Sequence, residues 1–268
     1  MLDIEFAELS DIGPSRESNE DCFGSYQPAT PEAAQARGWC FAIADGVGGQ
    51  DAGEVASRLA IESLFTGLPS ISASESLTVA LPRLIQAANQ RVYEAAGYRT
   101  GSIATTIVAC AIRYDRAVVA HVGDSRCYLI RRGQATALTR DHSLANEQLR
   151  LGILTNRQAS SANTAHLLTR SLGSEMFVSV DTSDHLLTGG DVLLLCSDGL
   201  HRSVKPVDMV DALGPKAHLD AAAAKLVSLA NSRDGSDNAS IQLVRIKAVE
   251  SVGMYRGRLY KLPKTPSL

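Results

Sequence analysis

The chain has 268 residues, 45% of them hydrophobic and 21% charged, with 21 Gly and 9 Pro, an ordinary globular composition that suffices for one large domain or two small ones. A net charge of −3 at pH 7 gives no basic surface of the kind that grips nucleic acid. No apolar run approaches the ~18 residues of a membrane helix. The first residues, Met1-Leu2-Asp3-Ile4-Glu5, lack the basic start and apolar core of a secretory signal. Five cysteines show no CxxC spacing, and Cys40, Cys110 and Cys196 lie inside apolar runs, so they read as small core residues in a reducing compartment. The expectation is a cytoplasmic protein with neither nucleic acid nor membrane as partner.

Residues 3–10 and 21–26 carry short, loosely alternating strand patterns, separated by a polar turn. Residues 27–38 read as a loop and 39–44 as a strand that ends in Asp45-Gly46-Val47-Gly48-Gly49. Ala52, Val55, Ala56, Leu59 and Ala60 recur at helical spacing over 52–65. After a Ser-rich connection, a second helix fits 75–96, with Pro82 in its first turns or at a kink.

From residue 103 the character changes to β. Runs at 103–112, 117–122, 127–131 and 135–139 are joined by turns too short for crossover helices, which favours antiparallel hairpins. Residues 141–170 are polar, with a helical pattern around 144–151, and form a candidate mobile excursion, or flap. Strands are expected at 177–187 and 191–196, helices at 206–213 and 218–230, and a last strand at 239–246. Two helix pairs around antiparallel strands predict an α+β fold. The division expected is one domain over residues 1–247 and a basic tail over 248–268, a flexible or surface segment.

Acidic residues recur where apolar runs end. Asp45, Asp124 and Asp198 each follow a strand-like run, Asp237 precedes the last strand, and Glu20 and Asp21 stand just before the second. A lone Asp at such a place serves equally as a turn former or a helix N-cap. If these acids converge, their repulsion calls for hard cations, and all-oxygen ligands suit Mg²⁺ or Mn²⁺. The spacing shows no His/Cys cluster that would compete for zinc.

Six motifs in order carry a resemblance. Arg16-Glu17-Ser18-Asn19-Glu20-Asp21, Ala44-Asp45-Gly46-Val47-Gly48-Gly49, Gly101-Ser102-Ile103-Ala104-Thr105-Thr106, Gly123-Asp124-Ser125-Arg126, Ser197-Asp198-Gly199-Leu200 and Asp237-Asn238 resemble those of the bacterial metal-dependent Ser/Thr protein phosphatases (PPM, type 2C). Each is weak alone; the ordered set, from about residue 5 to 246, is specific.

The resemblance implies a central antiparallel β-sandwich flanked by pairs of α-helices, in four layers, with residues 141–170 as the variable flap. It implies two Mn²⁺ or Mg²⁺ ions bridged by Asp45, with the Gly46 carbonyl on one of them. Asp198 and Asp237 match the acids on one metal, and Glu20 matches the acid on the other, with Asp21 close by. Asp124 matches a position that joins Asp198 around a third metal. Arg16 matches the arginine on the substrate phosphate. The reaction implied is hydrolysis of phosphoserine and phosphothreonine by a metal-bridging hydroxide, opposing Ser/Thr kinases. The partners implied are phosphorylated proteins, a Ser/Thr kinase among them, acted on by a monomer. Many eukaryotic members of that family carry His two residues after the bridging Asp, and bacterial ones lack it; Val47 stands there in this sequence. A water at the metal is then the default proton donor, and His142 is the least poor side-chain candidate.

Cys196 to Ser203 also satisfies C-x5-R-S, the signature of cysteine-dependent phosphatases. Asp198 argues against it, because a carboxylate sits badly in a loop that should hold a dianion. A silent phosphoprotein-binding module and a hydrolase of small phosphate esters are the other readings of the same residues.

Overall fold

A computed structural model describes residues 2–47, 52–97, 103–155, 158, 164, 167–214 and 217–250, with the backbone of 252–255 and 258–261. The first sheet is built from β1 (Asp3–Asp11), β7 (Arg126–Arg131), β8 (Gln134–Ala137), β10 (Val192–Cys196) and β11 (Ala239–Ala248), in the order β1-β11-β10-β7-β8. The second holds β2 (Asp21–Tyr26), β3 (Trp39–Val47), β5 (Ile107–Arg113), β6 (Arg116–Val122) and β9 (Asp181–Leu186) in that order, with β4 (Ala104–Thr105) paired to the end of β3. All ladders are antiparallel.

Strand alternation explains the layers. In β3, Phe41 and Ile43 point into an inter-sheet core with Leu193, Leu195, Val244 and Ile246. Cys40, Ala42 and Ala44 point the other way, against α2 (Ala52–Gly67) and α3 (Leu77–Ala96). In β10, Leu193 and Leu195 face inward, while Val192, Leu194 and Cys196 meet the second helix layer. That layer contains α5 (Asp198–His201), α6 (Pro206–Ala212) and α7 (Leu219–Arg233). Both faces of the central strands are therefore covered, which is why they read as continuous apolar runs. Across the sandwich Phe6 meets Phe41 edge-on, centroids 5.2 Å apart.

The expected α+β sandwich with paired helices is the observed architecture. Some boundaries differ. The loop at 27–38 contains α1 (Pro31–Ala36), capped by the Thr30 side chain and opened by Pro31 at the first turn. The strand expected at 177–187 begins only at Asp181. Pro82 lies within α3, which continues through it. The flap contains α4 (Leu144–Arg150), whereas much of the possible turn at 155–160 lies outside the described residues. Beyond β11, β12 (Val252–Tyr255) and β13 (Arg258–Lys261) pair with each other as a separate two-stranded sheet.

Candidate active site

β3 carries Asp45 to the end of its sheet, directly opposite Asp21 in the β2–β3 ladder. The Asp45 backbone is pinned on both sides. Its N–H donates to Thr106 Oγ1 at 3.0 Å, and its carbonyl accepts from Thr106 N and Thr105 Oγ1, both at 2.8 Å. The Ile103-Ala104-Thr105-Thr106 stretch thus holds the acid in place without lining the cavity itself. Gly46 packs against Gly53 in the first turn of α2. A Cβ on Gly46 would lie 2.2 Å from Gly53 O, and one on Gly53 would lie 2.5 Å from Glu20 Oε2, so neither position has room for a side chain.

The other sheet supplies the facing acids. Asp198 follows β10 at the start of α5, and Asp237 immediately precedes Asn238 at the start of β11. Asn238 is buried and accepts the Glu20 N–H at 2.8 Å, while its Nδ2 donates to Ile12 O and Ser18 O. Arg16 donates from Nε to Ser236 O at 3.1 Å and pairs with Asp237 at 2.7 Å. Asp124 sits in the turn between β6 and β7, where its carbonyl accepts from His201 Nε2 at 2.9 Å.

Seven of the eight expected residues, Arg16, Glu20, Asp45, Gly46, Asp124, Asp198 and Asp237, line one cavity of about 320 Å³ with Val47, Leu168 and Arg202. Asp21 is not in its wall; its Oδ2 accepts from Ser197 Oγ at 2.7 Å, and Ser197 Oγ in turn accepts from Ser240 N.

The electrostatics are those of acids in surplus. Burial, then the charges of Asp198, Asp21, Asp124 and Asp237, pushes Asp45 well above the carboxylate range. Burial pushes Asp21 and Asp124 up to about 7, with Asp198 adding to both and Arg202 opposing the rise of Asp124. Asp198 is raised mainly by burial, against the pull of Arg202. Asp21 Oδ1 and Asp198 Oδ1 are buried without a hydrogen-bond partner. An all-oxygen set with unbalanced charge and orphaned buried oxygens fits hard divalent cations.

His142 is engaged elsewhere. It is buried at the base of the flap, stacked on His121 with centroids 4.8 Å apart, and its Nδ1 accepts from Gly123 N. Its Nε2 faces Asp181 at 3.3 Å, and it does not line the cavity. Here the fold builds a cluster that spacing did not show, because β6–β9 pairing brings His121 opposite Asp181. His121, His142 and Asp181 offer ligand atoms within 4.8 Å of one another, but Arg170 donates to Asp181 and lies against His142. The cluster fastens the flap, as does the bidentate Arg126–Asp141 pair beside it.

The thiol alternative fails on geometry. Cys196 is fully buried in the helix-side core, and burial pushes its thiol upward, away from the thiolate that such chemistry needs. All five cysteines are free.

Known proteins are similar to this chain in sequence and fold. The family profile described as "Protein phosphatase 2C" matches residues 8–239. The "Serine/threonine phosphatase stp" of Listeria welshimeri is 35% identical over 240 residues, covering 88% of this chain and 93% of that protein. The solved Streptococcus agalactiae serine/threonine phosphatase superposes with a TM-score of 0.82 at 34% identity, covering 91% of this chain and 99% of that one. The catalytic domain of the serine threonine protein phosphatase PstP, solved in complex with 2 manganese ions, gives 0.77 at 30% identity over 92% of this chain and 99% of that one.

A two-sheet sandwich with helices on both faces and an acid-lined cavity at the sheet ends defines a metal-dependent phosphatase fold. The chain belongs to the protein phosphatase 2C family and is a protein-serine/threonine phosphatase. Sequence reading missed Gly53, whose absent side chain gives Glu20 its room, and placed Arg202 only in the cysteine pattern. A Gly inside a helical pattern was the signal for the first.

Proposed function

We propose that Glu20, Asp45, Asp198, Asp237 and the Gly46 carbonyl would hold two Mn²⁺ or Mg²⁺ ions in this cavity, with Asp45 at its centre among the acids. Phosphoserine and phosphothreonine of protein substrates are hydrolysed there. The observation that carries the reading is the convergence of buried, mutually repelling carboxylates, two of them with an orphaned oxygen. The two manganese ions in the PstP complex support it. The chemistry such cations would supply is Lewis acidity, which brings the pKa of a water toward about 7 and would offset charge on the phosphoryl oxygens.

The chain's own residues do the rest. Arg16, anchored by Ser236 O and Asp237 with its side chain 44% exposed, presents a guanidinium fork to two phosphoryl oxygens. Thr105 and Thr106 fix the backbone of Asp45. Asp21, behind the wall, is pushed up to about 7 by burial, so it would add negative charge to the site only as it gives up that proton to the field of bound cations. Val47, 44% exposed at the cavity, has no proton to give, so solvent protonates the leaving oxygen. The completeness of the acid set favours catalysis over a silent binding module.

The physiological reading is a monomer in the cytoplasm that opposes a Ser/Thr kinase, the kinase being one of its substrates. The free cysteines accord with a reducing compartment. The test of the chemistry is release of phosphate from a phosphothreonine peptide with and without Mn²⁺. Activity that survives complete chelation would reject the two-cation site.

A further inference from the structure

Arg202 lines the cavity among the carboxylates. α5 is a single turn, and Arg202 N donates to Asp198 O at 3.0 Å, which sets the guanidinium beside the Asp198 carboxylate. Its Nη2 also lies 3.9 Å from Asp124 Oδ2. Asp198 follows β10 of the first sheet and Asp124 sits in the turn that joins the second sheet to the first; their side chains are only 10% and 6% exposed, whereas Arg202 is 36% exposed. Arg16 pairs with Asp237 elsewhere in the same cavity; among the described residues that line it, Arg202 is the cation that reaches both Asp198 and Asp124.

Two buried carboxylates facing one another need a positive charge between them, because an uncompensated buried charge is strongly destabilising. A guanidinium supplies that charge permanently, since it does not deprotonate in proteins. Arg202 binds Asp198 through Oδ2, while Oδ1 is buried with no hydrogen-bond partner and would be the oxygen left for the inner cations.

We propose that Arg202 is a built-in counter-cation for the Asp124–Asp198 edge, standing where these acids would otherwise take a further divalent ion. The inference rests on the two-cation reading of the cavity. Arg202 therefore limits the site to the inner pair of ions. A further ion at that edge would lie against the guanidinium, and their repulsion opposes it.

The test counts Mn²⁺ ions per chain by calorimetric titration and electron paramagnetic resonance on the full-length protein after chelator treatment. Wild type and Arg202→Lys, which keeps a cation, are expected to take two. Arg202→Met is expected to take one more, and adding Asp124→Asn to it is expected to abolish the extra ion. Should Arg202→Met fail to fold, Arg202→Gln provides the same count. Equal non-zero counts in wild type and the neutral variants would overturn the inference while leaving the two-cation reading intact. Absence of Mn²⁺ binding in every protein would overturn both.

Discussion

Asn238 Oδ1 accepts the Glu20 backbone N–H at 2.8 Å, joining two parts of the site that lie 218 residues apart in the chain. The same side chain donates to Ile12 O and Ser18 O, so one buried amide fixes the loop that carries Arg16 and Glu20 against the start of β11. Asn238→Ala removes three hydrogen bonds. At about 1 kcal/mol each, the expected loss is about 2–4 kcal/mol, read by urea denaturation in chelator. The Mn²⁺ concentration needed for half-maximal activity rises as well. Unchanged Mn²⁺ activation would show that Asn238 does not brace the acids.

Asp124 gives a pH signature. Burial raises it from 3.8 to about 7, so between these values the native chain holds a proton that the unfolded chain has lost. The stability contributed by this group therefore falls as pH rises through that window. In chelator, Asp124→Asn is expected to match wild type near pH 4 and exceed it by on the order of 4 kcal/mol near pH 8. Chemical denaturation at the two pH values measures the difference; a gap that does not widen with pH contradicts the assignment.

Gly53 tests the steric side of the site. Its added Cβ would meet Glu20 Oε2 at 2.5 Å and Gly46 C at 3.0 Å. Gly53→Ala is expected to push Glu20 aside, weakening Mn²⁺ activation by about 10–100-fold, the range seen when groups supporting a metal site are lost. Overpacking costs about 1–3 kcal/mol of stability besides. The Mn²⁺ dependence of phosphopeptide hydrolysis, with thermal unfolding in parallel, separates the two effects.

Thiol chemistry offers an independent check. Cys196 is fully buried and its thiol is held protonated by burial, so brief alkylation of the folded protein leaves activity intact while chelation abolishes it. The reverse pattern would restore the cysteine mechanism.

Much of the sandwich was legible in the sequence because its central strands are covered on both faces and its turns are short. Continuous runs such as Val192–Cys196 announce a buried strand, and the acids after them mark sheet ends. What was not legible depended on tertiary contact. α1 lies in a polar stretch and has no buried residue, so no apolar stripe marked it. His121 and His142 look unrelated until the flap closes back on β6. The spacing from Cys196 to Arg202 suggested a thiol site, yet the arginine belongs to Asp198, because one helical turn sets residues four apart side by side. The positions of the acids were readable from strand ends, but their convergence was readable only through the ordered family motifs.

The buried carboxylates around Asp45 are expected to make this enzyme dependent on divalent cations. Phosphate release from a phosphothreonine peptide, measured with Mn²⁺ and with chelator for wild type and Asp45→Asn, tests this dependence most directly. Chelation is expected to abolish wild-type turnover and Asp45→Asn to lower the Mn²⁺-supported rate by on the order of 10²–10³ or more, while the metal-free variant, relieved of repulsion from Asp198, Asp21, Asp124 and Asp237, unfolds at a higher temperature than metal-free wild type. Equal rates for both proteins in all conditions would contradict it.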